Sequence, residues 1–533
     1  MSSQSDEALA RANALLATGD FAAAATWYAR VLAEVPDSVD ALLGQGDCAL
    51  KTGDLEDARD CFETARALDP DSTRAACALA RLLRATGDVA AAVRLLQSAA
   101  RSPGNNGELL FELGLSCNAG GDVEGAMHAY SELLGSEPDH LGALVNLGLV
   151  YLSQLGDAVV AGAFFERACK AHPQAVAAQA NYGLALLDRG DYDRAIAHFD
   201  ELIRNSPGMV EYRWNRALAY LLHGDFARGW PDYELRHVRG GRDVRRDFGL
   251  PVWQGAAAAG GSVLVYGEQG LGDEIMFASC LQDLADRGAG VVLECDARLA
   301  TLFARSFPAV HVHGAARDGD RAWLQRYPAL QSQIAIGSLP GIFRNDEKNF
   351  PRHRGYLAAD PARIETWRRR LAAAPGLSIG LSWRGGTRKT RADLRSLNIQ
   401  DCFPLAAFRQ HRFVCLQRGD CGEEIAAARA AGLELQWWPE ALEDTEETAA
   451  LIAALDLAIS VDNTVVHMAG ALGKPCFALL SRVPDWRYRA EGDAMPWYPS
   501  VKLFRQTHAR DWQGVMAGIS VALAARLNGL GKR

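Results

Sequence analysis

Long apolar runs are absent from this sequence of 533 residues. No window approaches the roughly 18–20 consecutive apolar residues that a membrane-spanning helix requires. The first residues also lack the basic start and the apolar core of a secretory signal. These absences predict a cytoplasmic protein with no membrane span.

Excess positive charge and paired cysteines are absent as well. The formal net charge is −9 at pH 7, whereas binding a phosphodiester backbone requires a basic surface. Nucleic acid is therefore excluded as the main partner. The 11 cysteines are scattered without a C-x-x-C pair or a Cys/His cluster, which favours reduced thiols over disulfides or zinc.

The first half of the sequence contains a repeat. The dipeptide Gly-Asp recurs every 34 residues, with one interval of 35, and such a period is typical of stacked helical hairpins. Glycine can adopt the positive φ of a tight turn, and the aspartate can cap the helix that follows. A small residue follows each glycine by five positions and a large apolar residue by nine, which predicts close packing of two helices. The glycines are Gly19, Gly53, Gly87, Gly121, Gly156, Gly190 and Gly224.

This pattern resembles the tetratricopeptide repeats over about residues 5–238. The resemblance implies about seven hairpins stacked into a superhelix with a concave groove. Asn146, Asn181 and Asn215 occupy the same place in three successive repeats. The arrays of protein O-GlcNAc transferases carry an asparagine ladder at that place, which implies peptide binding through backbone hydrogen bonds. The alternative is a polar residue tolerated on an exposed helix face.

After Gly261 the sequence changes to short apolar strands that alternate with helices. Continuous apolar strands of this kind predict parallel sheets covered on both faces. Two consecutive sets indicate two Rossmann-like domains, the GT-B arrangement of many glycosyltransferases. We therefore predict an α-solenoid followed by a GT-B fold, with these boundaries: a superhelix at 1–238, a connector at 239–260, an acceptor-side domain at 261–375, a nucleotide-sugar domain at 376–507, and a closing helix at 508–533 that packs back onto the first of the two.

A glycine-rich turn lies between the first strand and its helix, at residues 267–274. Gly270 and Gly272 would let a ligand approach the backbone at the helix start. The segment resembles the EQGLGD stretch of tetratricopeptide-linked glycosyltransferases and the Gly-Asp turn of bacterial heptosyltransferases. That resemblance implies that Asp273 is the general base that deprotonates the acceptor hydroxyl, with Glu268 in reserve. The alternative is that Asp273 only caps the helix.

A second motif runs from Asp462 to Pro475, where a strand ends and a helix begins. Polar residues at a helix N-terminus provide a seat for phosphate. The segment resembles the D-T-x-x-x-H-L-A motif of heptosyltransferases, which implies donor contacts from Asp462 and His467. Asn463 stands where that family has threonine, and Thr464 is displaced by one position. A structural role for His467 is the alternative.

Further donor-binding candidates follow two other strands of the second set. Ser382 and Arg384 end one strand, and Arg395 lies just beyond a basic run of Arg388, Lys389 and Arg391. Arginine suits phosphate, although each could equally form a surface ion pair. The stretch around Gln417 resembles the S-L-Q-x-G segment of the same family, and an ordinary strand-end turn is its alternative.

Two segments rich in Trp and Tyr, 483–488 and 495–499, allow two interpretations. They can stack on a base or a sugar, or they can pack as a domain hinge. No D-x-D metal motif is convincingly placed, so we expect charge stabilisation by arginine and a helix dipole without a metal ion.

The layout of the whole chain resembles bacterial flagellin glycosyltransferases and O-GlcNAc transferases. It implies an inverting protein glycosyltransferase that moves a sugar from a nucleotide donor to Ser/Thr hydroxyls, with flagellin among the possible acceptors. CMP-nonulosonate and UDP- or ADP-sugars are the donors that it allows, and no further cofactor is expected. The alternatives are a catalytically silent tetratricopeptide scaffold and a polysaccharide or lipid glycosyltransferase. The sequence does not indicate the oligomeric state.

Overall fold

Helical hairpins occupy the chain up to Tyr233 in the computed structural model, as the repeat predicts. The structure describes residues 3–100, 107–239, 244–256, 261–316, 319–372, 376–386 and 392–530. These hairpins form a tetratricopeptide solenoid of about fourteen helices: α1 Ser3–Thr18, α2 Phe21–Glu34, α3 Val39–Thr52, α4 Leu55–Leu68, α5 Thr73–Ala85, α6 Val89–Ala99, α7 Gly107–Ala119, α8 Val123–Ser136, α9 Leu141–Leu149, α10 Ala158–Ala171, α11 Val176–Arg189, α12 Tyr192–Asn205, α13 Val210–His223 and α14 Phe226–Tyr233.

The turn chemistry of the repeat is as predicted. All seven repeat glycines have φ between 72° and 92°, a range that favours glycine. Six of the seven following aspartates accept a backbone N–H at the start of the next helix; Asp191 makes no such capping bond. The small and large positions of each hairpin are buried.

The single 35-residue interval has a structural cause. A π-helical segment, Val150–Leu155, follows α9 directly and ends at Gly156. A π-turn takes one more residue than an α-turn, so the extra residue is absorbed before the capping Asp157. A Cβ at Gly148 would overlap the ring of Phe165, so glycine is needed where the helix carrying it meets this aromatic residue.

The chain divides into two compact units, Met1–Ala185 and Leu186–Arg533. The second unit contains the final hairpins and two sheets. Among the described residues, no helix is both long enough and apolar enough to cross a bilayer.

The first sheet has four parallel strands in the order β3-β2-β1-β4. Helices connect its strands, as the alternating pattern predicts. Its elements are β1 Ser262–Tyr266, α15 Leu271–Phe277, α16 Leu281–Asp286, β2 Gly290–Asp296, α17 Ala300–Ser306, β3 Val310–Ala315, β4 Leu330–Ala335, α18 Pro340–Phe343 and α19 Pro361–Leu371.

The second sheet has seven strands in the order β10-β11-β9-β8-β5-β6-β7, and only the β10–β11 pair is antiparallel. Its elements are β5 Ser378–Ser382, α20 Ala392–Arg395, β6 Arg412–Cys415, α21 Gly422–Ala430, β7 Leu435–Gln436, α22 Pro439–Glu443, α23 Thr445–Ala454, β8 Leu457–Val461, α24 Thr464–Ala471, β9 Cys476–Leu480, β10 Ala494–Met495, β11 Tyr498–Arg505 and α25 Trp512–Leu530.

Two expectations are corrected in this region. The closing helix α25 packs into the core of the second sheet, through Trp512, Met516 and Ile519, and does not return to the first sheet. The segment at 495–499 was expected to stack on a ligand or to form a hinge, yet it leads into β11. Trp497 and Tyr498 are buried core residues there. Trp497 meets Phe277 and Phe350 edge-on, which supports packing over stacking on a ligand.

Candidate functional site

A cavity of about 990 Å³ lies at the carboxyl edge of the second sheet. The chain runs from β5 through β6 to β7 in one direction, and β8 then pairs with β5 on the opposite side. The carboxyl ends of β5 and β8 therefore diverge at a topological switch point, where open α/β sheets bind ligands. The volume suits a ligand of nucleotide size.

Residues after three strands form the wall of the cavity. Ser382 and Arg384 follow β5, Gln417 follows β6, and Asn463 and Thr464 follow β8. The structure thus brings together five of the predicted donor-site residues. Residues Arg388, Lys389 and Arg391 lie outside the described part of the chain.

Asn463 braces the switch point. Its Nδ2 donates to Ser382 Oγ at 2.9 Å and to the carbonyl of Arg384 at 3.0 Å. Its Oδ1 accepts from the Val465 N–H at 2.9 Å and from Ser460 Oγ at 3.0 Å. Asn463 therefore caps α24 and joins the ends of β8 and β5, a role that sets the shape of this side of the cavity.

Gln417 has a similar bracing role. Its Oε1 accepts from Ser382 Oγ at 3.1 Å and from the Trp383 and Arg384 N–H groups at 3.1 and 2.8 Å. Gln417 lines the cavity, and its contact with a donor stays a prediction, although its acceptor oxygen is already used within the protein. Only the cavity-facing surface of Gln417 remains for a ligand.

The two candidate arginines differ in their surroundings. Arg384 lines the cavity and pairs with Glu424, another lining residue, at 2.9 Å. Arg395 instead binds the Asp462 carboxylate at 2.7 Å and also its backbone carbonyl. Arg384 is thus placed to contact a ligand, whereas Arg395 secures the end of β8, which corrects its predicted phosphate role.

Asp462 is buried beneath the cavity rather than exposed in it, with 1% of its surface accessible. Burial raises the pKa of its carboxyl well above the usual range, and Arg395 opposes that rise. The predicted direct donor contact of Asp462 is therefore corrected to a structural role, in which its carboxylate holds Arg395 at the end of β8.

Asp273 lies in the first turn of α15. Its Oδ2 accepts from the Gly270 N–H at 3.1 Å, so the capping interpretation holds. Its Oδ1 lies 2.5 Å from an Arg487 guanidinium nitrogen. Leu271, two residues earlier, lines the same cavity as Asn463 and Thr464. The structure therefore brings the Asp273 turn to the mouth of α24, while its role as a base stays a prediction.

Gly272 lets α15 approach α24 closely. A Cβ at this position would lie 3.0 Å from Cδ2 of His467. The glycine-rich turn thus serves contact between two helices here, in addition to any approach of a ligand.

Glu268 does not have the surroundings of a base. It is 4% exposed, accepts several bonds from Arg236, and accepts the Gly337 N–H at 3.0 Å. These contacts join β1 to the segment after β4 and to the end of the last hairpin. The prediction of Glu268 as a reserve base is corrected to a structural role.

His467 is buried against Tyr498, whose hydroxyl lies 3.2 Å from its Nδ1. Burial lowers the pKa of His467 to about 4, although the negative charge of Asp273 opposes the shift. The imidazole is therefore neutral at pH 7 and contributes hydrogen bonding rather than positive charge. A contact between His467 and a phosphate stays a prediction, and it would be a hydrogen bond from a neutral ring and not an ion pair.

The low pKa of His467 predicts a loss of stability in acid. Between pH 6.5 and 4 the unfolded chain binds a proton that the folded chain excludes, so stability falls as the pH falls through this window. From pH 7 to pH 5 this contribution falls by about 2 kcal/mol. Denaturant unfolding should show that H467Q loses about 2 kcal/mol less than the parent protein over this range.

The exposed His508 provides the matched control. H508Q should retain the pH dependence of the parent protein. Asp462 contributes with the opposite sign, because its raised pKa makes stability fall as the pH rises. Because Asp462 is present in both proteins, the difference in stability between H467Q and the parent reports on His467. An equal loss of stability in H467Q would contradict a low pKa of His467.

Arg487 is the site residue that sequence reasoning missed. It lies in a 3-10 turn, Trp486–Tyr488, and contacts Asp273, Asp485 and Gln269. The segment 483–488 was considered only for its aromatic rings. Trp486 and Tyr488 are buried, which supports the packing interpretation. An arginine amid buried aromatic residues was the available signal.

The three asparagines of the proposed ladder each lie on the first helix of a hairpin. Asn146 is half-buried on α9 and donates to the Gly142 carbonyl of its own helix at 2.8 Å. Asn181 is half-buried on α11. Asn215 on α13 is 5% exposed. Their positions are as predicted, and peptide binding by them stays a prediction.

Comparison with known proteins finds a family model that matches the repeats and a relative that matches most of the chain. The tetratricopeptide repeat family model matches residues 9–73, 77–135, 119–176 and 181–243. Protein FlbA of Caulobacter vibrioides is 32% identical over 419 residues, 75% of this chain and 69% of that protein. The chain belongs to the FlbA family. Because the aligned length exceeds that of the helical repeats, the similarity extends into the region of the sheets.

Solved structures match part of this chain. A tetratricopeptide repeat protein from Parabacteroides merdae is 25% identical, with a TM-score of 0.34 over 38% of this chain and 80% of that protein. PilW, a type IV pilus biogenesis factor, is 16% identical, with a TM-score of 0.37 over 40% of this chain and 98% of that protein.

Proposed function

We propose that this chain is a nucleotide-sugar-dependent protein glycosyltransferase of GT-B type. One observation carries the proposal: the cavity at the β5/β8 switch point is bounded by the N-terminus of α24 and by the turn that bears Asp273. A phosphate seat and a candidate base for an acceptor hydroxyl thus adjoin one space. The FlbA relationship by itself specifies no activity.

The donor is proposed to bind with its phosphate at the first turn of α24. The helix dipole favours negative charge there, and Arg384, which also lines the cavity, provides a guanidinium. CMP-nonulosonate, UDP-sugar and ADP-sugar remain the candidate donors. The sugar would lie toward Leu271 and therefore toward Asp273.

The acceptor is proposed to be a polypeptide recruited by the tetratricopeptide repeats, with flagellin as one candidate. Asp273 would take the proton of a Ser/Thr hydroxyl as the oxygen attacks the anomeric carbon. A single displacement of this kind inverts the configuration at that carbon. Stabilisation of the leaving phosphate would come from Arg384 and α24, without a metal ion.

The test combines nucleotide binding with mass spectrometry of co-expressed acceptor proteins. D273N retains an oxygen for the helix cap but loses the basic carboxylate. Transfer by D273N should fall about a hundredfold or more, the usual contribution of a general base. D286N, at an exposed position on α16, should transfer normally. Equal transfer by D273N and the parent protein would remove Asp273 from its role.

One observation favours a second candidate function. Both oxygens of Asp273 are engaged, one in the helix cap and one with Arg487, which suits a catalytically silent scaffold. Such a scaffold would modify no acceptor and would bind none of UDP, ADP or CMP. A polysaccharide or lipid transferase would instead modify a glycan extract and leave proteins unmodified.

A further inference from the structure

The last helical hairpin packs directly on the segment that carries Arg487. The ring of Trp486 meets Trp230 and Tyr233 of α14 edge-on, with centroids 5.4 and 5.3 Å apart. The Ala490 N–H donates to the Leu222 carbonyl of α13 at 2.9 Å. The segment around Arg487 is thus held by side-chain and backbone contacts to both helices of this hairpin.

Tyr233 also reaches the turn that bears Asp273. Its hydroxyl donates to Gln269 Oε1 at 3.1 Å, and its ring stacks on Trp214 of α13 at 5.4 Å. Gln269 immediately precedes Gly270, whose N–H binds the Asp273 carboxylate. Trp214 is the chain neighbour of Asn215, the ladder candidate on α13. A short series of contacts therefore joins this helix to the turn.

Arg487 completes the connection. Its guanidinium lies 2.5 Å from oxygens of both Asp273 and Asp485, and it donates to Gln269 Oε1 at 3.3 Å. Its side chain is only 14% exposed. A largely buried arginine that bridges two carboxylates restricts their orientation more than an exposed ion pair would.

The backbone on both sides of this junction is strained. Within the described chain, three residues other than glycine have positive φ: Gln269 at 62°, Arg489 at 61° and Arg510 at 63°. The first two flank the contact between Arg487 and Asp273, and the third lines the cavity. Such conformations persist only where the surrounding contacts determine them, and they concentrate at functional sites.

We propose that Arg487 and Tyr233 are positioning residues, through which the final helical hairpin holds the Asp273 carboxylate in its working orientation. The inference rests on the proposed function and adds a physical link between the helix that bears Asn215 and the base. Neither residue is part of the cavity wall. Their loss should therefore change the transfer step without changing donor affinity.

The kinetic test uses Y233F, R487K and R487A in the full chain. Transfer to the acceptor polypeptide should fall at least tenfold in kcat for Y233F and further for R487A, with KM for the donor changed less than twofold. R487K should recover part of the loss. Guanidinium added to R487A should raise kcat at least fivefold, because it replaces the missing group; a merely structural defect would not respond. Y327F and R326K, at positions outside this junction, are the matched controls.

Amide hydrogen exchange provides a readout that needs no substrate. Exchange at residues 267–275 should be at least tenfold faster in Y233F and R487A than in the parent protein, and unchanged in Y327F. Faster exchange without transfer by the parent to any acceptor would refute the proposed function while the positioning contact stands. Normal kcat and unchanged exchange in both Y233F and R487A would overturn the positioning role.

Discussion

Replacement of Asn463 by leucine is expected to reduce affinity for the bound nucleotide about a hundredfold, equivalent to about 2.7 kcal/mol. Leucine has a similar volume but removes the four hydrogen bonds that join β8, β5 and α24 at the cavity. The Val465 N–H would lose its side-chain partner, and Ser382 Oγ would lose one of two partners while keeping Gln417. A buried group left unsatisfied costs about 1–3 kcal/mol. The N-terminus of α24, where we propose that phosphate binds, should therefore lose its geometry, whereas the sheet should stay folded.

Calorimetric titration with UDP, ADP and CMP measures this effect. N463D keeps the acceptor oxygen for Val465 but cannot donate to Ser382, so its affinity should lie between those of the parent and N463L. N349L, at an exposed position remote in sequence from the cavity wall, should bind as the parent does. Parental affinity in N463L would show that the nucleotide binds elsewhere.

Replacement of Gly473 by alanine is expected to destabilise the second unit by about 3 kcal/mol. Gly473 has φ +70°, and a Cβ there would overlap the backbone carbonyl of Arg354. Close by, the Tyr356 and Leu357 N–H groups both donate to the Ala471 carbonyl, at 2.7 and 2.9 Å. The segment between the two sheets thus crosses the end of α24, and the two backbones are in direct contact there. Neither backbone can shift at a low cost in free energy.

The matched control separates strain from collision. Gly288 also has positive φ, at 75°, but has open space where a Cβ would lie. G288A should therefore show only the conformational cost of about 1 kcal/mol. Urea unfolding compares the two variants with the parent, and an equal loss in both would contradict a steric clash at Gly473.

Local patterns made much of the fold predictable. The Gly-Asp period identified the hairpins because each turn is formed within a few residues, and the change to short apolar segments after Gly261 identified the region of the two sheets. β11 was missed because Pro496 just before it and Pro499 at its second position are typical of a loop. The position of α25 depends on which hydrophobic core its apolar face packs against, and each of the two predicted sheets has such a core.

The candidate site was predictable in outline only. The motifs at 267–274 and 462–475 each follow a strand, so parallel topology places each at the carboxyl edge of its own sheet. Their contact depends on how the two sheets pack against each other, which no local pattern specifies. The roles of Glu268, Arg395 and Gln417 depend instead on partners from distant elements. Asp273 follows a strand of the first sheet, whereas Arg487 follows a strand of the second. No spacing in the sequence therefore relates the two residues. Burial then decides whether a carboxylate such as Asp462 faces a ligand or supports the structure beneath it.

The π-turn at Val150–Leu155 shows how an array of helical hairpins can accommodate an added residue. An added residue in a regular helix would rotate everything beyond it by about 100° and point its apolar side chains into water. Here the surplus is confined to one turn, and Asp157 still caps α10 as five of the other six repeat aspartates cap their helices. Each hairpin thus sets its own register at its glycine, so an insertion in one repeat leaves the phase of its neighbours intact.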